Sequence, residues 1–461
     1  MRFEFPHISA LVLAFILTLV VRVRGVTEHF YLLGDQIRDW GIALRPFSDL
    51  PLVGPPTHVR GYTIGPAFYW ILWAIRVTLG PWFDNLPHAG GIGQAVLQSV
   101  ADTFLLFAVW RRTQSVWAAL AVIVLVATAS FDLALSALVW NPVMGSTLAK
   151  IATACVFLDW HRRSTRHAVL TAVAAWGAVQ AYTGAAFVTL GVFVTALLDP
   201  LVRREWALVR RNLLVLAAVV VLLQLPYLVH QMRTGFRESA MGAVTGSIGR
   251  IATGSAPPQM ATSVAGYVHA LDVIQVAPVT VAFTPLVVVL CGVIVSVRYR
   301  RDTVVLMTVL LPQVAAIVGY GLFLGALDAY YYLSLMPAAV LTVVLAATPV
   351  PSAPSSSQIP QLGAIALLAA AVAIVPMRLR HATVFFRLPV YQALIDGSRR
   401  IATLRQPMRA IRTEFALPPT GDPEFAYLIL GGRLDRQSPW IGVITPTGEV
   451  KYRRIESAER Q

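Results

Sequence analysis

The sequence predicts an all-α polytopic membrane protein with about 11 transmembrane helices and a small C-terminal α+β domain. Three observations carry this. Only 13% of the 461 residues are charged, against about a quarter in an ordinary soluble domain. Apolar runs of roughly 16 to 22 residues recur along the chain, long enough to cross a bilayer as helices. Short arginine clusters separate these runs, the pattern of topology determinants on a cytoplasmic face. The last 84 residues differ, holding 22 of the 60 Asp, Glu, Lys and Arg residues, so the membrane part is placed at 1–377 and the polar domain at 378–461. The net charge of +14 follows those clusters and gives no nucleic-acid signature. Cys155 and Cys291 both lie inside apolar runs, which argues against a disulfide or a cysteine metal site.

The run Ile8–Val23 is long for a signal-peptide core and no A-x-A site follows, so it reads as an uncleaved first span. Arg111-Arg112, the 161–166 cluster, Arg203-Arg204 through Arg210-Arg211, and Arg298 with Arg300-Arg301 all fit one face if two spans separate each successive pair. That parity fails if 65–79 also crosses. This segment has Tyr69, Trp70, Trp73 and Arg76 between Pro66 and Pro81, and suits a helix lying in the interface. An external loop then runs from about 24 to 91. Further spans fall near 92–110, 116–134, 143–160, 168–182, 185–199, 213–230, 278–297, 303–324, 330–348 and 362–377, with the N-terminus inside and the C-terminus outside. A large external loop is expected near 231–275. The Pro- and Ser-rich stretch 349–361 reads as a cytoplasmic linker. In the tail, 390–404 suits an amphipathic helix, and 426–430, 440–445 and 449–455 read as short strands.

On this threading several polar groups share the outer face. Asp35, Arg38 and Asp39 follow the first span. Acids beside lipid are costly, and these suit a general base or a metal ligand as well as a loop salt bridge. The Gly/Pro-rich stretch 49–62 carries His58, Arg60 and Tyr62, which could present a cation to a phosphate or form an ordinary turn. Asp132 and Trp140-Asn141-Pro142 sit at the outer end of the third span, where Asn-Pro also suits a helix start. His230, Arg233 and Arg237 open the large loop. Arg233 and Arg237 are four apart, so a helix would set them on one face toward a phosphate or toward anionic lipid. Tyr331, in the run Asp328-Ala329-Tyr330-Tyr331-Tyr332, suits either an interfacial aromatic belt or a substrate contact. Asp102 and Lys150 are the clearest charges inside predicted spans, fewer than an ion-coupled transporter usually carries. No Walker A loop, H-E-x-x-H, G-x-S-x-G or CxxC occurs, which argues against an ATP-driven pump or a zincin.

Together, residues 34–39, 52–57, 61–70, 140–142 and 226–237 resemble, in kind and order, the GT-C glycosyltransferases. The resemblance is to the bacterial group akin to protein O-mannosyltransferases and lipid A aminoarabinose transferase, and it covers about residues 1–350. It implies an integral enzyme of the bacterial inner membrane with an extracytoplasmic site. It implies a polyprenyl-phosphate-linked sugar donor, inversion at the anomeric carbon, and Asp35 as base. Arg38, Asp39, His58, Arg60, Tyr62, Asp132, Asn141, His230, Arg233, Arg237 and Tyr331 would be the substrate-binding candidates. Many relatives have Asp-Glu where this chain has Asp35-Gln36, so a divalent metal would need Asp39 or Asp132 beside Asp35. The acceptor is left open as protein, lipid or glycan. A non-enzymatic flippase or exporter of lipid-linked glycans would need the same basic outer groove but no base, and a scaffold would need neither.

Overall fold

The computed structural model of the chain describes residues 5–24, 34–57, 61–83, 86–137, 139–236, 241–275, 283–323, 327–348, 359–385, 389–416 and 423–455. Apolar sequence becomes helix throughout the membrane part. The first segments are α1 (Phe5–Val23), α2 (Gly34–Ala43) and α3 (Ala67–Leu79). At 13 residues α3 is about 20 Å long, short of the ~30 Å hydrocarbon core. Its Arg76 reaches back to the Leu44 carbonyl at 3.1 Å, tying α3 to the end of α2. Helix α4 (Leu86–Thr113) comes next, followed by α5 (Val116–Ala127) and the short α6 (Ser130–Ala134).

The bundle continues with α7 (Asn141–Phe157), the single turn α8 (Trp160–Arg163), α9 (Thr165–Ala181), α10 (Ala186–Val202) and α11 (Trp206–Thr234). Five described helices are long and apolar enough to cross by themselves, and a sixth crossing is made if the bent pair at 361–382 counts as one. The remaining expected spans are helices too, but shorter. The expected third span, for instance, breaks between Ala127 and Ser130 into α5 and α6.

The expected external loop at 231–275 is mostly helical. It contains α12 (Met241–Ala252) and α13 (Met260–Ile274). Tyr267, Ala270, Leu271 and Ile274 of α13 are buried in the main hydrophobic core, which its periodic apolar residues make possible. The Gln259 N–H bonds the Gly321 carbonyl, and Gln275 at the other end bonds Ser130. Both partners lie at helix ends, Gly321 at the close of α16 and Ser130 at the start of α6. Then come α14 (Thr284–Arg298), α15 (Thr303–Val305), α16 (Leu311–Gly321) and α17 (Met336–Ala347), with a π-helical turn at Leu306–Leu310.

The chain ends with α18 (Ile359–Ala373), α19 (Val375–Phe385), the amphipathic α20 (Pro389–Thr403), β1 (Ala410–Thr413), α21 (Pro423–Ile429), β2 (Trp440–Ile444) and β3 (Val450–Arg454). The sheet order is β1-β2-β3, with β1 parallel and β3 antiparallel to the central strand. The expected strand at 426–430 is instead the end of α21, which closes at Ile429. Its Ala426, Tyr427 and Ile429 point to a helix-covered core, and β1 was missed. This domain is not free-standing. Leu394, Ile401, Ile411 and Tyr427 share one apolar cluster with Ile37 and Trp40 of α2 and with Phe68, Tyr69 and Leu72 of α3. Gly90 of α4 makes room for Trp40, because a Cβ there would fall 2.2 Å from the indole.

Four charges inside the bundle neutralise one another. Arg22 of α1 bonds Asp102 of α4 at 2.6 Å and Asp132 of α6 at 2.8 Å. Lys150 of α7 bonds the same two acids at 2.9 and 3.0 Å. All four are fully buried. Buried ions are tolerated only when paired and hydrogen-bonded, and here the balance is two to two. Lys150→Met alone should therefore cost about 3–5 kcal/mol, since it strands a buried carboxylate. Adding Asp102→Asn restores neutrality and should recover part of the loss. Thermal unfolding of the detergent-solubilised protein checks this, and a double variant no more stable than Lys150→Met would contradict it.

Candidate active site

The site is built on α2. Asp35 and Arg38 lie one helical turn apart and therefore on one face. Arg38 Nη1 donates to Asp35 Oδ1 at 2.9 Å, while its Nε donates to Asp39 Oδ1 at 2.9 Å, with Nη2 in ion-pair contact with the same oxygen. Tyr69 of α3 adds its hydroxyl to that Asp39 oxygen at 3.1 Å. One guanidinium thus forks between two carboxylates. Asp35 and Arg38 remain partly open, at 40% and 32% exposure, whereas Asp39 is buried. The other Asp35 oxygen accepts the Trp140 indole N–H at 3.3 Å.

Trp140 is itself held from behind. Gln94 of α4 donates to the carbonyls of Leu135 and Ser136 at 3.0 and 3.1 Å, and its oxygen accepts the Trp140 backbone N–H at 3.4 Å. Ser136 also receives Arg22 at 2.7 Å. The buried charge cluster and the residue beside Asp35 are therefore linked through one short segment.

These groups border a cavity of about 370 Å³. Among the described residues, Asp35 and Arg38 are the charged ones in its lining. Trp140, Tyr182, Phe187, Tyr320, Phe323, Tyr330 and Tyr331 supply aromatic wall, Asn141 and Thr183 add polar groups, and Ile248 of α12 is the contribution of the 231–275 segment. Tyr330 stacks on Tyr331 with ring centroids 4.6 Å apart, and Trp140 packs on Tyr330 at 4.8 Å. Flat aromatic faces with a few polar groups suit a compact, partly apolar ligand.

Sequence-predicted residues divide clearly. Asp35, Arg38, Asn141 and Tyr331 meet at the cavity, and Asp39 stands behind Arg38. Asn141 does not cap α7: the N-cap is Trp140, with no side-chain cap bond. Asp132 is misplaced as a substrate or metal residue, because it is sealed in the cluster with Arg22 and Lys150. The helix that would pair Arg233 with Arg237 does not reach beyond Thr234. Helix α11 stops at Thr234, with Gly235 in the left-handed region at φ 64° and the Phe236 N–H turned back to Gln231. Arg233 is exposed and away from the cavity lining.

Tyr62 meets His230 edge-on at 6.0 Å, and the Gln224 amide bonds the Ile64 carbonyl. These contacts fasten the Gly/Pro segment to α11; Tyr62 and His230 are not among the residues that line the cavity, whereas Pro56, Thr57 and Thr63 are. His58, Arg60 and Arg237 lie outside the described residues. Tyr182 and Tyr320 were missed. The helix break at Tyr182-Thr183-Gly184 was the available signal for the first, and an isolated tyrosine in an apolar run gave none for the second. Among the described residues no group of three or more His, Cys, Asp or Glu side chains gathers as metal ligands. With Asp35 and Asp39 both bound to Arg38, the described residues do not fit a divalent-metal site.

No protein-family model matches the sequence, and no curated protein matches it. Solved structures do. ArnT from Cupriavidus metallidurans bound to undecaprenyl phosphate superposes with a TM-score of 0.57 over 93% of this chain and 84% of that one, at 14% identity. The Archaeoglobus fulgidus oligosaccharyltransferase matches over 95% of this chain, with a TM-score of 0.51 and 12% identity, both tethered to an acceptor peptide and in the apo form. This chain spans about two thirds of the archaeal protein, 64% and 65% in the two structures. The chain has the GT-C fold. Within the GT-C bundle, the segment between α1 and α4 carries the charged residues, and the later helices carry the aromatic wall.

Burial raises the Asp39 carboxyl to about 6, despite Arg38 and Tyr69 favouring its charged form. Its Oδ2 is buried without a hydrogen-bond partner, which accounts for that penalty. Burial opposes the Arg38 charge too, but Asp39 and Asp35 outweigh it and hold the guanidinium protonated. The folded protein then binds more protons than the unfolded chain between about pH 4 and 6. The Asp39 contribution is full below about pH 4 and lost as pH rises through 6, a change of about 3 kcal/mol at most. Unfolding followed from pH 4 to 7.5 should show wild type losing stability relative to Asp39→Asn as pH rises. Parallel curves would contradict the raised Asp39.

Proposed function

We propose that the protein is a membrane glycosyltransferase. It moves a sugar from a polyprenyl-phosphate donor to an acceptor hydroxyl, with inversion, on the extracytoplasmic face of a bacterial inner membrane. The observation that carries this is Asp35 and Arg38 together at the border of an aromatic cavity in a GT-C bundle. The ArnT structure, bound to undecaprenyl phosphate, supports a lipid-linked donor, and the arginine clusters support the orientation.

The chemistry follows from the two charges. Asp35 takes the proton of the acceptor hydroxyl as that oxygen attacks the anomeric carbon. The bond from this carbon to the phosphate oxygen breaks on the opposite side, which inverts the centre. The leaving phosphate gathers negative charge, and Arg38 is the cation placed to meet it. Asp39 and Tyr69 fix Arg38 from behind, and Trp140 fixes Asp35. The flat tyrosine and tryptophan faces suit the apolar face of a pyranose ring. The lipid enters sideways from the bilayer, which explains why the catalyst is itself a membrane bundle. The acceptor is a hydroxyl of a protein, lipid or glycan. The domain at 378–461 packs on α2 and so belongs to the same outer face, where it braces the helix that bears Asp35.

Asp35→Asn should lower sugar transfer by about 10²–10⁴-fold with normal folding. Arg38→Gln should weaken donor use by about ten- to a hundredfold, from loss of a charge-assisted contact. Arg233→Ala, off the cavity, should stay near wild type. Radiolabelled transfer by the purified protein is the readout. Near-wild-type turnover by Asp35→Asn would remove the base and reopen the flippase reading, in which lipid movement needs no carboxylate.

A further inference from the structure

A second cavity, of about 280 Å³, lies at the other end of the bundle. Asn141 and Pro142 at the start of α7 line the aromatic cavity, whereas Phe157, Leu158 and Asp159 at and just past its end line this one. Seventeen helical residues, about 25 Å, separate them. Arg111 and Arg112 of α4, Arg163 of α8, Tyr299 and Asp302 complete the polar wall.

The charges in this cavity are not balanced. Asp302 gives both oxygens to Arg112, at 2.5 and 2.7 Å, and also caps α15 through the Val305 N–H. Asp159 is half exposed and makes only a 3.4 Å contact with Arg112. No described carboxylate pairs with Arg111 or Arg163. Two further groups on the wall are buried without partners, the Arg112 Nε–H and the Tyr299 hydroxyl, and Tyr299 is only 4% exposed. Asp159 apart, whose half-exposed carboxylate is held only by Arg112, every unmet group is thus a cation or a donor. Such a set calls for an anion rich in acceptor oxygens, and it repels a metal ion. Orphaned buried donors are costly when left unmet, so a ligand that satisfies them gains more than a surface arginine pair would supply.

We propose that this cavity binds a phosphate group, carried by an anionic phospholipid of the adjacent leaflet or by a soluble phosphate. The arginine clusters place this end on the cytoplasmic side, where anionic headgroups and phosphate esters are both at hand. The bound phosphate would join the ends of α4, α7, α8 and α14 far from Asp35, so this site is independent of the proposed transfer reaction.

The test uses the full-length protein, delipidated in neutral detergent and titrated with phosphatidylglycerol, with bound lipid counted by native mass spectrometry. Tyr299→Phe removes only an unpartnered hydroxyl and should weaken binding about threefold to tenfold. Arg111→Gln with Arg163→Gln should weaken it more than tenfold, whereas Arg210→Gln, an exposed arginine outside the cavity, should change nothing. Inorganic phosphate is the second probe. If it displaces the lipid at the wild-type site, a soluble phosphate can be the natural occupant; if it does not, the lipid is. Equal lipid retention by wild type, Tyr299→Phe and the double arginine variant would overturn the proposal. So would a loss in Arg210→Gln as large as in the double variant, which would mean general attraction to a basic surface.

Discussion

The buried pairing of Arg22 and Lys150 with Asp102 and Asp132 is the constraint on which the rest depends. It joins α1, α4, α6 and α7 at one depth. None of these ions can leave its partners without stranding a charge in a low-dielectric interior. The geometry is passed outward by short steps. Arg22 also holds Ser136, Gln94 holds the carbonyls on either side, and the same Gln94 meets the backbone of Trp140. Trp140 then donates to Asp35. The Asp35 carboxylate, on a short helix beside the bundle, is thus linked by these contacts to the charges inside it.

The second support comes from the opposite side of α2. Ile37 and Trp40 are buried with Tyr427, Ile411 and Leu394 of the C-terminal domain. One helix therefore shows two charged residues to the cavity and an apolar edge to the polar domain. This division explains why a chain so rich in membrane helices ends in a small sheet: α2 alone, at ten residues, is too short to be stable without packing. For the proposed transfer reaction, preorganisation of this kind would keep Asp35 and Arg38 at a fixed spacing while both substrates enter.

Much of this was legible in the sequence. Asp35, Arg38 and Asp39 stood out because charge beside lipid is rare and expensive, but they were read as loop residues, and only the structure sets Asp35 and Arg38 on one face of α2. Tyr331 and Asn141 were visible as residues at span ends. Periodicity also marked α20 and the two strands at 440–444 and 450–454. What failed were inferences that needed tertiary partners. Asp132 has the same local signature as Asp35, an acid at the outer end of a span, and only the fold reveals that Arg22 and Lys150 enclose it. Arg233 and Arg237 have helical spacing, but Gly235 between them ends the helix, a stop signal that the spacing argument ignored. The 231–275 segment looked like loop because α12 and α13 are too short and too mixed to resemble spans, although α13 buries Tyr267 and Leu271 in the core.

The central claim is that a lipid-linked sugar is held with its phosphate at Arg38 and its ring among the tyrosines, within reach of Asp35. A structure of the full-length protein with a non-hydrolysable polyprenyl-phosphate sugar analogue tests it most directly. The expected result is phosphate oxygens within hydrogen-bond distance of the Arg38 guanidinium, the sugar ring in the cavity walled by Trp140, Tyr330 and Tyr331, and the Asp35 carboxylate facing the anomeric carbon from the side opposite the phosphate. A headgroup bound elsewhere along the bundle, with the aromatic cavity empty and Asp35 still closed on Arg38 and Trp140, would contradict it.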